Sequence, residues 1–160
     1  MTPSSLSSTS WGWLIFGLYL LLGCNAAAVH NAVKTLSVDQ VWEGGTNYPT
    51  SGVSHSFTGL DTSLYAYTLT VEVIETDFNA GTEYVDGIYA GSTTLSSNCN
   101  PGVESGTNYY TCLSGQDVNA DVSSGSLTVL TTATSDVNVA PYNGYYLYVK
   151  YTLSKFLLTP

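Results

Sequence analysis

Residues Tyr65–Thr76 read YAYTLTVEVIET. Leu69, Val71 and Val73 fall on one side of an extended chain, and Thr68, Thr70 and Glu72 fall on the other. This alternation with a period of two predicts a strand with one face in a core and one in water. No other stretch away from the chain ends alternates so cleanly, and the neighbouring segments are read relative to it.

Upstream, Lys34–Trp42 is predicted as the first strand, with Leu36, Val38 and Trp42 on one face. Glu43–Gly52, EGGTNYPTSG, is a loop of turn formers, and Val53–Leu60 is a weaker strand in which Val53, His55 and Phe57 share a face. Downstream, Asp77–Thr82 (DFNAGT) is a tight connection. Glu83–Ala90 is a strand in which Gly87 signals a bulge or a close backbone approach. Tyr109–Leu113 is extended, and Ser126–Thr132 carries Leu127, Val129 and Thr131 inward. Tyr145–Leu153 closes the domain, with Tyr145, Leu147, Val149, Tyr151 and Leu153 on one face. No window has a 3.6-residue period with capping residues, so little helix is expected. Seven or eight short strands divided by turn signals predict an all-β fold, a two-sheet antiparallel β-sandwich of the jelly-roll or immunoglobulin-like kind.

The 160 residues suit one domain, and a hydrophobic content of 44% supports a core. Only 9% of residues are charged, against about a quarter in ordinary globular chains. Arginine is absent, the lysines are Lys34, Lys150 and Lys155, and the net charge is -9. Nucleic acid and anionic membrane surfaces are therefore excluded as partners, because phosphate binding depends on Lys and Arg. Thirteen tyrosines, together with Ser, Thr, Asn and Gly, do the surface work that charges usually do.

Trp11–Leu22, WGWLIFGLYLLL, is an apolar run too short to span a bilayer comfortably as a helix. Ala26-Ala27-Ala28 follows it and meets the small-x-small cleavage rule. Residues 1–28 are thus read as a signal peptide and 29–160 as a single secreted domain, extracellular or at the cell surface. A competing reading takes Leu21-Leu22-Gly23-Cys24 as a lipobox with Cys24 acylated. Cleavage leaves Cys99 and Cys112, and an even pair in a secreted chain most simply forms one disulfide. No Asn-x-Ser/Thr sequon occurs, which leaves O-linked sugar as the route to a glycoprotein.

Two further segments carry a resemblance. Glu83–Leu95, EYVDGIYAGSTTL, resembles the strand pair in which a jelly-roll module presents a Val-x-Val-Asn-Gly hairpin, with Gly87 and Ala90-Gly91 in that pattern. Asp117-Val118 … Gly125-x-Leu127-x-Val129 resembles the Asp-Val-Thr … Gly-x-Leu-x-Val run of galactose-binding-like jelly rolls. With the cysteine pair and the terminal NGYYLYVKYTL, Tyr65–Leu153 looks like small secreted sandwich modules in surface and fibril proteins of microbial eukaryotes. The resemblance implies a fold and a location, and it carries over no ligand residues.

Catalytic chemistry has little to build on. The histidines are His30 and His55, and no nucleophile-elbow sequence accompanies either, so the chain is not expected to be an enzyme. No cofactor is required. Asp77, Asn79, Glu83 and Asp86 around one turn supply the oxygen ligands that calcium takes, against the plainer reading of solvated turn carboxylates. Trp42, Tyr48, Tyr109, Tyr110 and Tyr142 are flat amphipathic rings suited to the C–H faces of sugars. Tyr146 and Tyr148 lie opposite Leu147 and Val149, so the last strand is expected to expose an aromatic stripe.

The ends, 29–41 and 155–160, carry apolar residues that a sandwich need not bury. Phe156, Leu157 and Leu158 are expected to dock into a second copy, extending a sheet edge formed by the 145–153 strand. The leading expectation is a structural protein that assembles with itself head to tail into an extracellular fibril or coat. The rival expectation is a module that binds glycans, assisted by calcium near Asp77.

Overall fold

The computed structural model describes residues 35–158 apart from 48, 79–80, 101–108 and 142. Residues 1–34, with the expected leader, Cys24 and His30, and likewise Tyr48, Asn79 and Tyr142, lie outside the described residues. Eight strands follow one another: β1 (Thr35–Gly45), β2 (Val53–Thr58), β3 (Tyr65–Val73), β4 (Val85–Ala90), β5 (Thr93–Cys99), β6 (Tyr110–Asp117), β7 (Ser126–Ala133) and β8 (Leu147–Leu157). The described helix is limited to 3-10 turns at Pro49–Ser51 and Asn119–Asp121.

Two antiparallel four-stranded sheets result, ordered β1-β8-β3-β6 and β2-β7-β4-β5. The first strand pairs with the last, the second with the seventh, the third with the sixth and the fourth with the fifth. The chain is thus one long antiparallel hairpin rolled up on itself, which is the jelly-roll arrangement of eight strands rather than the immunoglobulin one. The pairs β3·β8 and β4·β7 close the roll within each sheet.

The alternation read from Tyr65–Thr76 holds. Tyr67, Leu69, Val71 and Val73 of β3 are buried together with Leu147, Val149, Tyr151 and Leu153 of β8. Against them pack Val85 and Ile88 of β4 and Leu127, Val129 and the buried Thr131 of β7. The bulge expected at Gly87 is present as a register irregularity between Val85 and Gly87.

Two expectations are corrected. The final strand does not form an edge: β8 lies between β1 and β3, and Lys155, Phe156 and Leu157 are paired on β3 as well. The alternation in β8 reports burial of one face, which central and edge strands share, so sequence cannot separate them. The edges of this sheet are β1 and β6; the inward residue of β1 is Val41, whereas Val38 and Trp42 face out.

The two sheets are tied at their margins and through the core. Cys99 and Cys112 are bonded, with Cα atoms 5.5 Å apart, joining β5 to β6, edge strands of different sheets. Closing so short a loop contributes ~3 kcal/mol in the chain-entropy account. On the opposite margin, His55 Nδ1 of β2 lies 2.8 Å from Glu43 Oε1 of β1. In the core, the Tyr151 hydroxyl donates to Val53 O at 2.9 Å and shares a 2.9 Å hydrogen bond with Thr131 Oγ1, so β8 grips both β2 and β7. Burial holds this phenol far above the ordinary phenol range, with the Thr131 hydrogen bond opposing the rise and the Glu43 carboxylate adding to it.

Tyr151→Phe keeps the ring but leaves Val53 O and the Thr131 hydroxyl short of a partner, and is expected to cost about 1–3 kcal/mol in denaturant unfolding. The folded chain holds the Tyr151 proton where the unfolded chain, with a phenol pKa of about 10, releases it. Its contribution is therefore complete below about pH 10 and falls away as the pH rises past that value. The stability profile of Tyr151→Phe should lack this part of the alkaline decline.

Candidate functional site: an aromatic ledge on the outer sheet face

The outer face of the β1-β8-β3-β6 sheet carries one transverse row. Trp42 of β1 pairs in register with Lys150 of β8, Lys150 with Glu72 of β3, and Glu72 with Thr111 of β6. Lys150 Nζ lies 3.0 Å from Glu72 Oε2, and the two side chains are only 18% and 20% exposed. Their shelter comes from rings. Tyr109, leading into β6, places its ring centroid 5.4 Å from that of Trp42. Lys150 Nζ lies 5.6 Å from the Trp42 centroid and 5.2 Å from the Tyr109 centroid, within reach of cation–π attraction to both.

The row continues toward the start of β8. Tyr148 packs on Trp42 at 5.3 Å, and Tyr145 stacks on Tyr148 at 5.3 Å with ring planes 21° apart. Local sequence sets these positions. The Asn143 carboxamide oxygen accepts the Tyr145 N–H at 2.8 Å, and Gly144 takes a positive φ of 77°. The Asn143 amide nitrogen donates to Glu75 O at 3.1 Å, holding the turn in which Glu75 itself adopts φ 50°. Tyr148 N–H donates to Thr76 Oγ1 at 3.1 Å, and Ile74 N–H donates to Tyr148 O at 3.1 Å, so Tyr148 is clamped to the end of β3. Gly44 is glycine for a direct reason: a Cβ there would lie 2.5 Å from the Tyr145 ring.

The ledge gathers residues that the sequence reading kept apart. Trp42 and Tyr109, both sugar-stacking candidates, meet across the sheet, and Tyr148, an assembly candidate, joins them. Tyr148 and Tyr146 are half-buried, so the last strand does not present a free aromatic stripe. Lys150 and Glu72 were not singled out as site residues, although their outward parity is visible in each strand. Tyr110 is exposed beside Tyr109. Trp42 is 36% and Tyr109 51% exposed, so both retain open ring surface.

The remaining candidates lie elsewhere. Leu157 and Leu158 are exposed at the far end of β8, where Leu158 N–H bonds Leu64 O at 3.0 Å beside the exposed Leu64. Phe156 is half-buried within the sheet. Asp77 and Glu83 are buried, Glu83 accepting from Asn138 Nδ2 at 3.3 Å, whereas Asp86 is exposed on β4. Among the described residues no three His, Cys, Asp or Glu side chains converge as a metal-holding group. His55 bonds Glu43 and packs edge-on against Phe57, and among the described residues no serine hydroxyl reaches it. No described helix is long and apolar enough to cross a membrane. No family model matches the chain, and no curated protein or solved structure matches it.

Gly44→Ala is expected to push Tyr145 off β1 and unstack it from Tyr148, at a cost of about 1–3 kcal/mol. Near-ultraviolet circular dichroism should lose aromatic signal while the far-ultraviolet strand signature stays.

Proposed function

We propose that this protein is a non-catalytic, extracellular carbohydrate-binding module that lays a sugar chain along the Trp42–Tyr109 ledge. The observation carrying this reading is the meeting of Trp42 and Tyr109 across the sheet, with ring surface left open on both. Flat amphipathic rings bury the C–H face of a pyranose while its hydroxyls seek polar neighbours. The exposed Gln40 of the same outer face supplies such a neighbour. The ligand class is an uncharged polysaccharide. A net charge of -9 repels uronates and sulfated glycans, and Glu72 already neutralises the one cation on the ledge. The disulfide and the leader-like first 28 residues support an oxidising, extracellular location. The reading requires neither metal nor cofactor.

Self-association is the second reading, favoured by one observation: Leu64, Leu157 and Leu158, 53%, 45% and 42% exposed, lie together at one tip. Exposed apolar patches of this sort mark contact sites. The docking element is then the tip of β8 rather than a free tail.

Retention on insoluble neutral β-glucan or chitin separates the readings. Trp42→Ala should weaken retention about tenfold, the loss of about 1.4 kcal/mol of stacking, while Leu157→Ser leaves it unchanged. A wild-type chain that ignores every neutral glycan, yet sediments as polymers that Leu157→Ser disperses, sinks the glycan reading in favour of self-association.

A further inference from the structure

The ledge and the disulfide belong to the same segment. Tyr109 lies within the loop closed by Cys99 and Cys112, three residues from Cys112, so at most about 11 Å of extended chain separates ring-bearing residue from bridge. β5 and β6 are the edge strands at one margin of the sandwich. Each hydrogen-bonds to one neighbour only, and neither has a fully buried residue. Beyond the disulfide, one hydrogen bond is described between them, from Ser96 Oγ to Cys112 O at 3.4 Å. The start of β6 lies on β3, with Tyr110 opposite Val73 and Thr111 opposite Glu72, but the register is irregular between Val71 and Glu72, and the covalent bridge at Cys112 is what ties this irregular start to β5 of the other sheet. Both cysteines are half-buried rather than enclosed, so a reductant can approach the bridge.

We infer that the Cys99–Cys112 disulfide is a redox-sensitive positioning element for the ledge. Oxidised, it holds Tyr109 against Trp42 and over Lys150. Reduced, it loosens the irregularly paired start of β6 on β3 and opens that ring cluster while β3, β8, β4 and β7 keep the core. The step balances with a small-molecule dithiol as reductant: one of its thiolates attacks one cysteine sulfur and expels the other cysteine as a thiolate, and its second thiol then attacks the reductant's own sulfur in the mixed disulfide and releases the cysteine first attacked. The products are two protein thiols and a cyclic disulfide. This inference rests on the glycan reading for its biological meaning, but not for its measurement.

Trp42 provides the readout. In the full chain carrying Trp11→Phe and Trp13→Phe it is the sole tryptophan. Reduction by dithiothreitol, with thiols counted by maleimide labelling, should red-shift Trp42 emission and increase its quenching by acrylamide, with far-ultraviolet circular dichroism unchanged. Cys99→Ser/Cys112→Ser should show the red-shifted emission from the start and ignore the reductant. Tyr109→Ala should be red-shifted while oxidised and gain little more on reduction. Unchanged Trp42 emission after both thiols are released overturns the inference, as does collapse of the far-ultraviolet signal on reduction. A Trp42 shift in a chain that binds no neutral glycan upholds the coupling and rejects only the sugar reading.

Discussion

Burial of one face of β3 and β8 is the constraint from which the rest of the molecule follows. These two strands sit at the centre of their sheet and turn Leu69, Val71, Val73, Leu147, Val149 and Leu153 into one apolar layer. A slip of one residue in either strand would turn that strand's apolar side chains to water, so register is held tightly. Tyr151 adds direction to that layer. Its hydroxyl must find partners once buried, and those partners, Val53 O and Thr131 Oγ1, come from two strands of the opposite sheet. A non-directional hydrophobic contact thereby acquires a defined alignment.

The margins of the sandwich are managed by different chemistry. On the β5–β6 side few residues are deeply buried, and a covalent bond replaces the packing that is missing. On the β1–β2 side the sheets meet through the contact of His55 with Glu43, near the buried Val53. Outward from β1, the aromatic ledge covers a lysine–glutamate pair that would contribute little if fully exposed. Rings over the ammonium exclude water from the pair while leaving their own far faces open. One cluster thus serves packing and supplies the surface on which the glycan reading depends.

Strand positions were largely legible because alternation is a local property. Leu127, Val129 and Thr131 in β7 and Leu147 to Leu153 in β8 point where their spacing said they would. β1 was misread because Leu36, Val38 and Trp42 share a parity that looks like a core face, yet an edge strand beside large aromatics carries Val38 and Trp42 outward. The ledge was half-legible. Trp42 and Tyr109 stood out by residue type, but their meeting depends on β8 and β3 lying between β1 and β6, which no local pattern encodes. Lys150 and Glu72 looked like ordinary solvent-facing charges until the register set them side by side.

The amino-acid sequence by itself determined an all-β chain, the approximate strands, the inward residues of the central ones and the pairing of its two downstream cysteines. Each of these depends on nearest-neighbour geometry or on a count. Only the tertiary structure decided the order of strands within each sheet, the interior position of β8, the edge position of β1 and the assembly of the ledge. Those outcomes depend on pairing between residues far apart in the chain, and a strand's alternation is the same whichever neighbours it finally takes.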